Sequence, residues 1–248
     1  MSETRTRRPA PVWQSGEVVD VIEETPETKS LRIRLPQPVE FLPGQYFNIR
    51  IPVEGRPRPI QRAYSIGSSP FPNFEVIEVG VKEMLGGLVS PVLVRKTPVG
   101  GSLEVRGPYG TFTWTEGDGG PVLMVAAGSG VVPFMGMIRY QRERGTAVPM
   151  HLLFSSKAEE FVIYRSELEA MVASTSWLEV SHTFTRDPTS ATPRFNRRID
   201  KEMVSEIFAE VGPKLAYVCG PPEMVDDVER ALLEGGMDSA SIKTEKYD

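Results

Sequence analysis

A single cysteine, Cys219, stands among 248 residues. Intrachain disulfides are therefore excluded, and so is a cysteine-ligated iron–sulfur cluster, which takes about four sulfur ligands. Histidine is nearly as scarce. His151 and His182 both fall in strand-like stretches without metal-ligand spacing and read as structural, so no metal site is expected. No apolar run approaches the ~20 residues that span a bilayer. A basic surplus is also missing: the net charge of −5 argues against nucleic acid as the main partner. Arg7-Arg8 looks like a twin-arginine start, but proline, tryptophan and polar residues follow where an apolar stretch would be required. Residues 1–11 are expected to be a disordered basic arm on a cytoplasmic chain without membrane insertion.

What remains is an ordinary globular composition, 40% hydrophobic and 25% charged, with 22 prolines and 22 glycines to punctuate short strands. From Val12 to about Thr115 the pattern is strand and turn. GEVVDVIEET, TKSLRIRL, QYFNIRIPV, RAYSIGSSP, FEVIEVGVK and GSLEVRGPYG are bounded by Pro, Gly, Asn or Ser. Leu31, Ile33 and Leu35 alternate with Arg32 and Arg34, as in a half-buried antiparallel strand. GGLVSPVLVRK alone reads as a short helix, interrupted by Pro91. Six strands at this spacing predict a small closed barrel over residues 12–116.

The polar, glycine-rich TEGDGG reads as a linker. Beyond it, buried-type strands (PVLMVAA, MHLLFSS, WLEVSHTF, LAYVCG, SIKTEKY) alternate with amphipathic helical segments. Such alternation predicts a five-stranded parallel sheet covered by helices on both faces, over residues 117–248.

Three short motifs carry the chemistry. In the first, Arg62 and Tyr64 share one face of an extended run, with Ala63 and Ser65 on the other. Arginine suits a diphosphate through its planar fork, and tyrosine can lie against a flat ring system. Alone, the run reads more readily as an ordinary strand with a surface arginine and a packed tyrosine. Gly86-Gly87 ahead of Ser90 adds a turn that lets backbone approach a phosphate. In the second motif, Gly128, Ser129 and Gly130 turn from strand to helix, with Pro133 where the dinucleotide fingerprint has its third glycine. The third, Cys219-Gly220-Pro221, closes a later strand; a cysteine there is otherwise plain core.

In this order the motifs resemble the ferredoxin–NADP reductase superfamily, over nearly the whole chain after the first ten residues. The resemblance implies an FAD-binding barrel followed by an NAD(P)-binding domain. Arg62 would contact the FAD diphosphate, Tyr64 would pack on the isoalloxazine with Ala63 in the same run, and Ser65 would bond near flavin N5. Val81 and Lys82, with Gly86, Gly87, Leu88, Val89 and Ser90, match the segments that meet ribose and diphosphate. Gly128, Ser129, Gly130 and Pro133 fit the family's own nucleotide turn. Cys219, Gly220 and Pro221 would approach the nicotinamide, and Tyr247 would stack over the flavin, although Asp248 extends past it and a plain tail residue is the alternative. Ser65, Cys219 and Tyr247 are thus the expected catalytic trio.

For the donor, Lys157 and Arg186 follow adjacent strand ends, and no carboxylate stands at the immediate end of the second parallel strand. The reading leans to NADPH, with NADH open. TPRFNRRID departs from the family, so Arg197 and Arg198 receive no ligand role. The ferredoxin-like domain fused to many oxygenase reductases is not in this chain. The expected acceptor is therefore a separate ferredoxin or iron–sulfur oxygenase component. The alternatives are a small acceptor such as flavin, quinone or ferric chelate, and a non-catalytic docking subunit.

Overall fold

The computed structural model describes residues 10–72, 74–191 and 193–247. Most of the expected basic arm, residues 1–9, lies outside the described residues. Six strands form the first sheet: β1 (Gln14–Thr25), β2 (Thr28–Arg34), β3 (Tyr46–Ile51), β4 (Ile60–Ser65), β5 (Val76–Lys82) and β6 (Ser102–Tyr109). Their order is β4-β3-β6-β1-β2-β5, with every pairing antiparallel. The two outer strands meet where Ile66 bridges Val79 and the Gly67 N–H donates to the Glu78 carbonyl at 2.8 Å, which closes the sheet. Alternation supplies the interior: Leu31 and Ile33 are buried while Arg32 and Arg34 face solvent.

Helix α1 (Ser90–Lys96) crosses between β5 and β6. Pro91 does not interrupt it. Proline sits in its first turn, where the missing N–H has no helical partner to lose. The expected linker is also more structured than its composition suggested. Glu116–Asp118 form a 3₁₀ turn capped reciprocally by Thr115 and Asp118, and Trp114 Nε1 donates to the Gly119 carbonyl at 3.0 Å.

The second sheet is parallel: β7 (Val122–Ala127), β8 (Met150–Ser156), β9 (Leu178–Phe184), β10 (Leu215–Gly220) and β11 (Ile242–Lys246), in the order β11-β10-β7-β8-β9. Helices α2 (Val131–Arg144) and α3 (Arg165–Ser174) belong to the cluster of Val122, Met124 and Phe154. Helices α4 (Lys201–Val211) and α5 (Pro222–Glu234) pack with Leu123, Val125 and Val218 on the opposite face. The chain starts at β7, runs outward to β9, then returns to place β10 on the other side. The order therefore reverses between β7 and β10, where open α/β sheets hold ligands at the strands' carboxyl ends. Among the described residues, no helix is long and apolar enough to cross a membrane.

Candidate flavin and nucleotide site

A cleft of ≈ 590 Å³ opens between the barrel and the carboxyl ends of β7 and β10. That volume suits a large organic cofactor. From the barrel come Arg62, Ala63, Tyr64, Ser65 and Lys82, with Gly87, Leu88 and Val89 from the loop before α1 and Ser90 from the first position of that helix. The α/β side contributes Ser129, Cys219, Glu245 and Tyr247. All four residues of the RAYS run border the cleft, and none of them is buried.

Local chemistry explains the barrel wall. Gly87 N–H closes a turn onto the Met84 carbonyl at 2.9 Å, and Gly86 takes φ +76° at the turn position that favours glycine. Ser90 Oγ accepts from Met84 N–H at 3.0 Å, fastening this loop to α1. The Tyr64 ring is half-buried, and burial pushes its hydroxyl up to about 12, so it presents a neutral ring face. Arg62 is exposed and folds its guanidinium back to the Gln61 carbonyl at 2.9 Å, leaving most of its donors for a ligand.

On the opposite wall, Gly128–Gly130 form a tight turn between β7 and α2. A Cβ on Gly130 would stand 2.2 Å from the Cys219 carbonyl oxygen, so only glycine lets the turn lie against β10. Cys219 is buried, and burial pushes its thiol up, away from thiolate reactivity. Gly130 sets the contact between turn and strand, Gly220 leaves room for the Met224 side chain of α5, and Pro133 is buried in the first turn of α2. Val81 is likewise wholly buried in the barrel core. Gly130, Gly220, Pro133 and Val81, with Gly86, support the clefts from behind or beside them; none is among the lining residues.

Glu245 is the residue that the sequence reading missed. It pairs with Cys219 in the β10–β11 register and lies two positions before Tyr247. Its Oε1 is 3.5 Å from Ser65 Oγ, and burial raises its carboxyl above the ordinary range while Ser65 partly offsets this. Its strand is polar and shows no alternation, so its place is revealed only by the register opposite Cys219.

A second, smaller cleft of ≈ 160 Å³ continues past the first. Its lining includes Gly128, Ser156, Lys157, Thr185 and Pro221, and it shares Lys82 and Tyr247 with the larger cleft. Tyr247 is thus no loose tail residue. Its N–H donates to the Gly220 carbonyl at 3.2 Å, its hydroxyl donates to the Ala127 carbonyl, and burial pushes that hydroxyl up to about 12. The ring stands where the two clefts meet.

The charge pattern corrects one expectation. A carboxylate does stand at the end of the second parallel strand, but it comes from the barrel: Glu27, in the β1–β2 hairpin, receives Lys157 Nζ at 2.5 Å. Arg186 is exposed; its backbone N–H bonds the Lys157 carbonyl at 2.8 Å. Lys82 is held below its ordinary value by burial and by the nearby Lys157 charge. Arg194 and Arg197 pair with Glu206, Glu210 and Asp200, away from both clefts.

Comparison with known proteins follows the same division. A family model of the oxidoreductase FAD-binding domain matches residues 15–114, and one of the oxidoreductase NAD-binding domain matches residues 124–230. The chain is 34% identical over 217 residues to ferredoxin–NADP reductase B of Sorangium cellulosum, covering 84% of this chain and 86% of that protein. It is 28% identical over 232 residues to the ferredoxin–NAD(P)(+) reductase component of the naphthalene 1,2-dioxygenase/salicylate 5-hydroxylase systems of a Ralstonia species, covering 94% of this chain and 68% of that one. In fold it matches a ferredoxin NADP+ reductase from Neisseria gonorrhoeae, solved with FAD and NADP, at a TM-score of 0.80 and 21% identity, over 96% of this chain and 99% of that one.

Proposed function

The chain belongs to the ferredoxin–NADP reductase superfamily of FAD-dependent NAD(P)H oxidoreductases, and on that premise we propose that it passes electrons from NADPH to a separate ferredoxin or iron–sulfur oxygenase component in the cytoplasm. Residues 12–116 would be the FAD-binding unit and residues 117–248 the nucleotide-binding unit. The observation that carries this reading is the meeting of two clefts at Tyr247 and Lys82, beside Ser65, Cys219 and Glu245.

FAD, when bound, supplies the two-electron acceptor for the nicotinamide hydride and the single-electron donor to the carrier. The chain's own residues bind and orient. Arg62, with the Met84–Ser90 loop, is suited to the diphosphate, and the Tyr64 ring to the isoalloxazine face. The Ser65 hydroxyl, backed by the Glu245 carboxyl, can hold a proton at the cleft edge. Cys219 packs as a neutral thiol and limits how far the nicotinamide can slide. Lys82, Lys157 and Arg186 make the far end cationic, which favours the 2′-phosphate of NADPH over NADH.

The test is the visible spectrum of the purified chain after incubation with FAD, then anaerobic titration with NADPH and NADH. Flavin absorbance that bleaches at lower NADPH than NADH is the expected result. A folded chain that retains no flavin would overturn the reading. Acceptor assays then separate its branches. A partner iron–sulfur protein that accelerates turnover supports electron carriage, whereas saturating turnover on free flavin, quinone or ferric chelate alone favours a small-acceptor reductase.

A further inference from the structure

Arg139, in the middle of α2, is an arginine only 8% exposed, and its guanidinium crosses from the α/β sheet to the barrel. Nη1 donates to the Gly67 carbonyl at 2.7 Å and to Glu78 Oε1 at 2.6 Å. Nε and Nη2 form a fork on Glu167 of α3, at 3.0 and 2.5 Å. Glu78, on β5 and 2% exposed, also receives Arg32 Nε at 3.0 Å. The guanidinium lies 4.9 Å from the centre of the Tyr164 ring.

Tyr164 makes the same crossing. It is the only described non-glycine residue with a left-handed backbone, φ 59°, a costly conformation that its surroundings must hold. Its N–H donates to Glu24 Oε2 at 3.1 Å, and Ser30 Oγ lies 3.3 Å from its hydroxyl while donating to Glu24 Oε1 at 2.8 Å. A Cβ on Gly67 or Gly80 would stand 2.8 or 3.2 Å from that hydroxyl, so the barrel wall is cut to admit the ring.

The position of this network gives it a consequence for chemistry. Gly67 follows Ser65 by two residues, and Glu78 precedes Lys82 by four on the same strand. On the other side, α2 starts directly after the Gly128–Gly130 turn, and Arg139 sits about 13 Å along it at 1.5 Å per residue. One guanidinium therefore ties both strands of the flavin wall to the helix whose first turn forms the nucleotide wall. Buried ion networks are poor sources of net stability, but their directional bonds can fix one arrangement over its near neighbours.

We propose that Arg139 is a positioning residue for hydride transfer, acting through Gly67 and Glu78 to hold the flavin and nucleotide walls at reacting distance. This rests on the proposed reductase reading. Near-attack geometry needs reacting atoms about 3–3.5 Å apart, and a displacement of about 1 Å can cost on the order of 100-fold in rate.

The test compares wild type with Arg139→Lys, which keeps the charge but loses the fork, and Arg139→Met, which keeps length alone. FAD and NADP+ dissociation constants are measured by titration, the limiting rate of flavin reduction by rapid mixing with saturating NADPH, and unfolding by calorimetry. The expected result is dissociation constants within about twofold, and a limiting rate lower by on the order of 100-fold in the Met variant and partly recovered in the Lys variant. Calorimetry should resolve one unfolding transition into two once the clamp is cut. Where the Met variant does not fold, Glu167→Gln and the Lys variant carry the comparison. A limiting rate within twofold of wild type in a folded variant overturns the proposal. If wild type is reduced by neither nucleotide, the reductase reading fails instead, and an unchanged single transition in the variants then refutes the clamp independently.

Discussion

Lys157 and Glu27 are 130 positions apart in the chain, yet the Lys157 ammonium lies 2.5 Å from both oxygens of the Glu27 carboxylate. The pair joins the β8 end to the β1–β2 hairpin, at the rim of the smaller cleft. Glu27 is held below the ordinary carboxylate range, first by the Lys157 hydrogen bond. A phosphate entering this rim would compete with Glu27 for the ammonium.

That competition gives the first prediction. Glu27→Gln should free Lys157 and lower the KM for NADPH by about 2- to 5-fold, the worth of an exposed ion pair, with little change for NADH. Lys157→Ala combined with Arg186→Ala should do the reverse, because only NADPH carries a phosphate of nearly two negative charges. Rising salt should raise the NADPH constant more steeply than the NADH constant. Steady-state kinetics with both donors and a dye acceptor decide the matter; parallel shifts for the two donors would reduce these cations to a solvated rim.

The second prediction concerns Arg62, whose donors are mostly free. Arg62→Ala should lose about 2–3 kcal/mol of charge-assisted hydrogen bonding to the diphosphate, or roughly 30- to 150-fold in FAD affinity. Equilibrium dialysis of FAD against both proteins measures this directly. Unchanged affinity in a folded variant would remove Arg62 from the flavin site.

Much of this architecture was legible in the residues. Leu31 and Ile33 against Arg32 and Arg34 announced a half-buried strand, and Gly128-Ser129-Gly130 after an apolar run announced a turn at a sheet edge. These signals are local, set by side-chain alternation and by close backbone approach. What escaped was the product of long-range pairing. Glu27 looks like an ordinary hairpin carboxylate until the barrel carries it to Lys157. Glu245 sits in IKTEK, a polar strand without an obvious face, and gains meaning only from its register opposite Cys219. Pro91 was misread because proline blocks a helix interior yet fits its first turn.

Glu245 makes the third prediction, on pH. Burial raises its folded-state pKa above the unfolded value, so the neutral form is favoured in the fold. Its contribution to stability is then fully present below the ordinary carboxylate value and is lost as pH rises through the raised one. Glu245→Gln should flatten that part of the stability profile, read as Tm against pH. As a proton store for Ser65 the carboxyl acts in its protonated form, so Glu245→Gln should also remove the fall in flavin-reduction rate as pH rises through that raised value. A Gln variant with both profiles unchanged would leave Glu245 as a spectator.

Tyr247 carries the last prediction. Its ring stands between the clefts, with its hydroxyl held on the Ala127 carbonyl beside Ser129. A nicotinamide that is to reach the flavin wall from the smaller cleft must cross this place, so the ring has to move as the nucleotide enters. Ring stacking is worth about 0.5–1.5 kcal/mol beyond area burial. We propose that this ring covers one face of the bound flavin; Tyr247→Ser then removes the competitor and should tighten NADP+ binding by roughly 2- to 13-fold, while shifting the flavin spectrum. Turnover should slow even as binding improves, because tighter product leaves later and release becomes limiting. Phe at the same position separates ring from hydroxyl: it keeps the stack and loses only the bond to Ala127, so its NADP+ affinity should stay near wild type. Titration of NADP+ with rapid-mixing release rates for both variants tests this; a Ser variant with the wild-type spectrum and wild-type affinity would show that the ring does not share the nicotinamide's place.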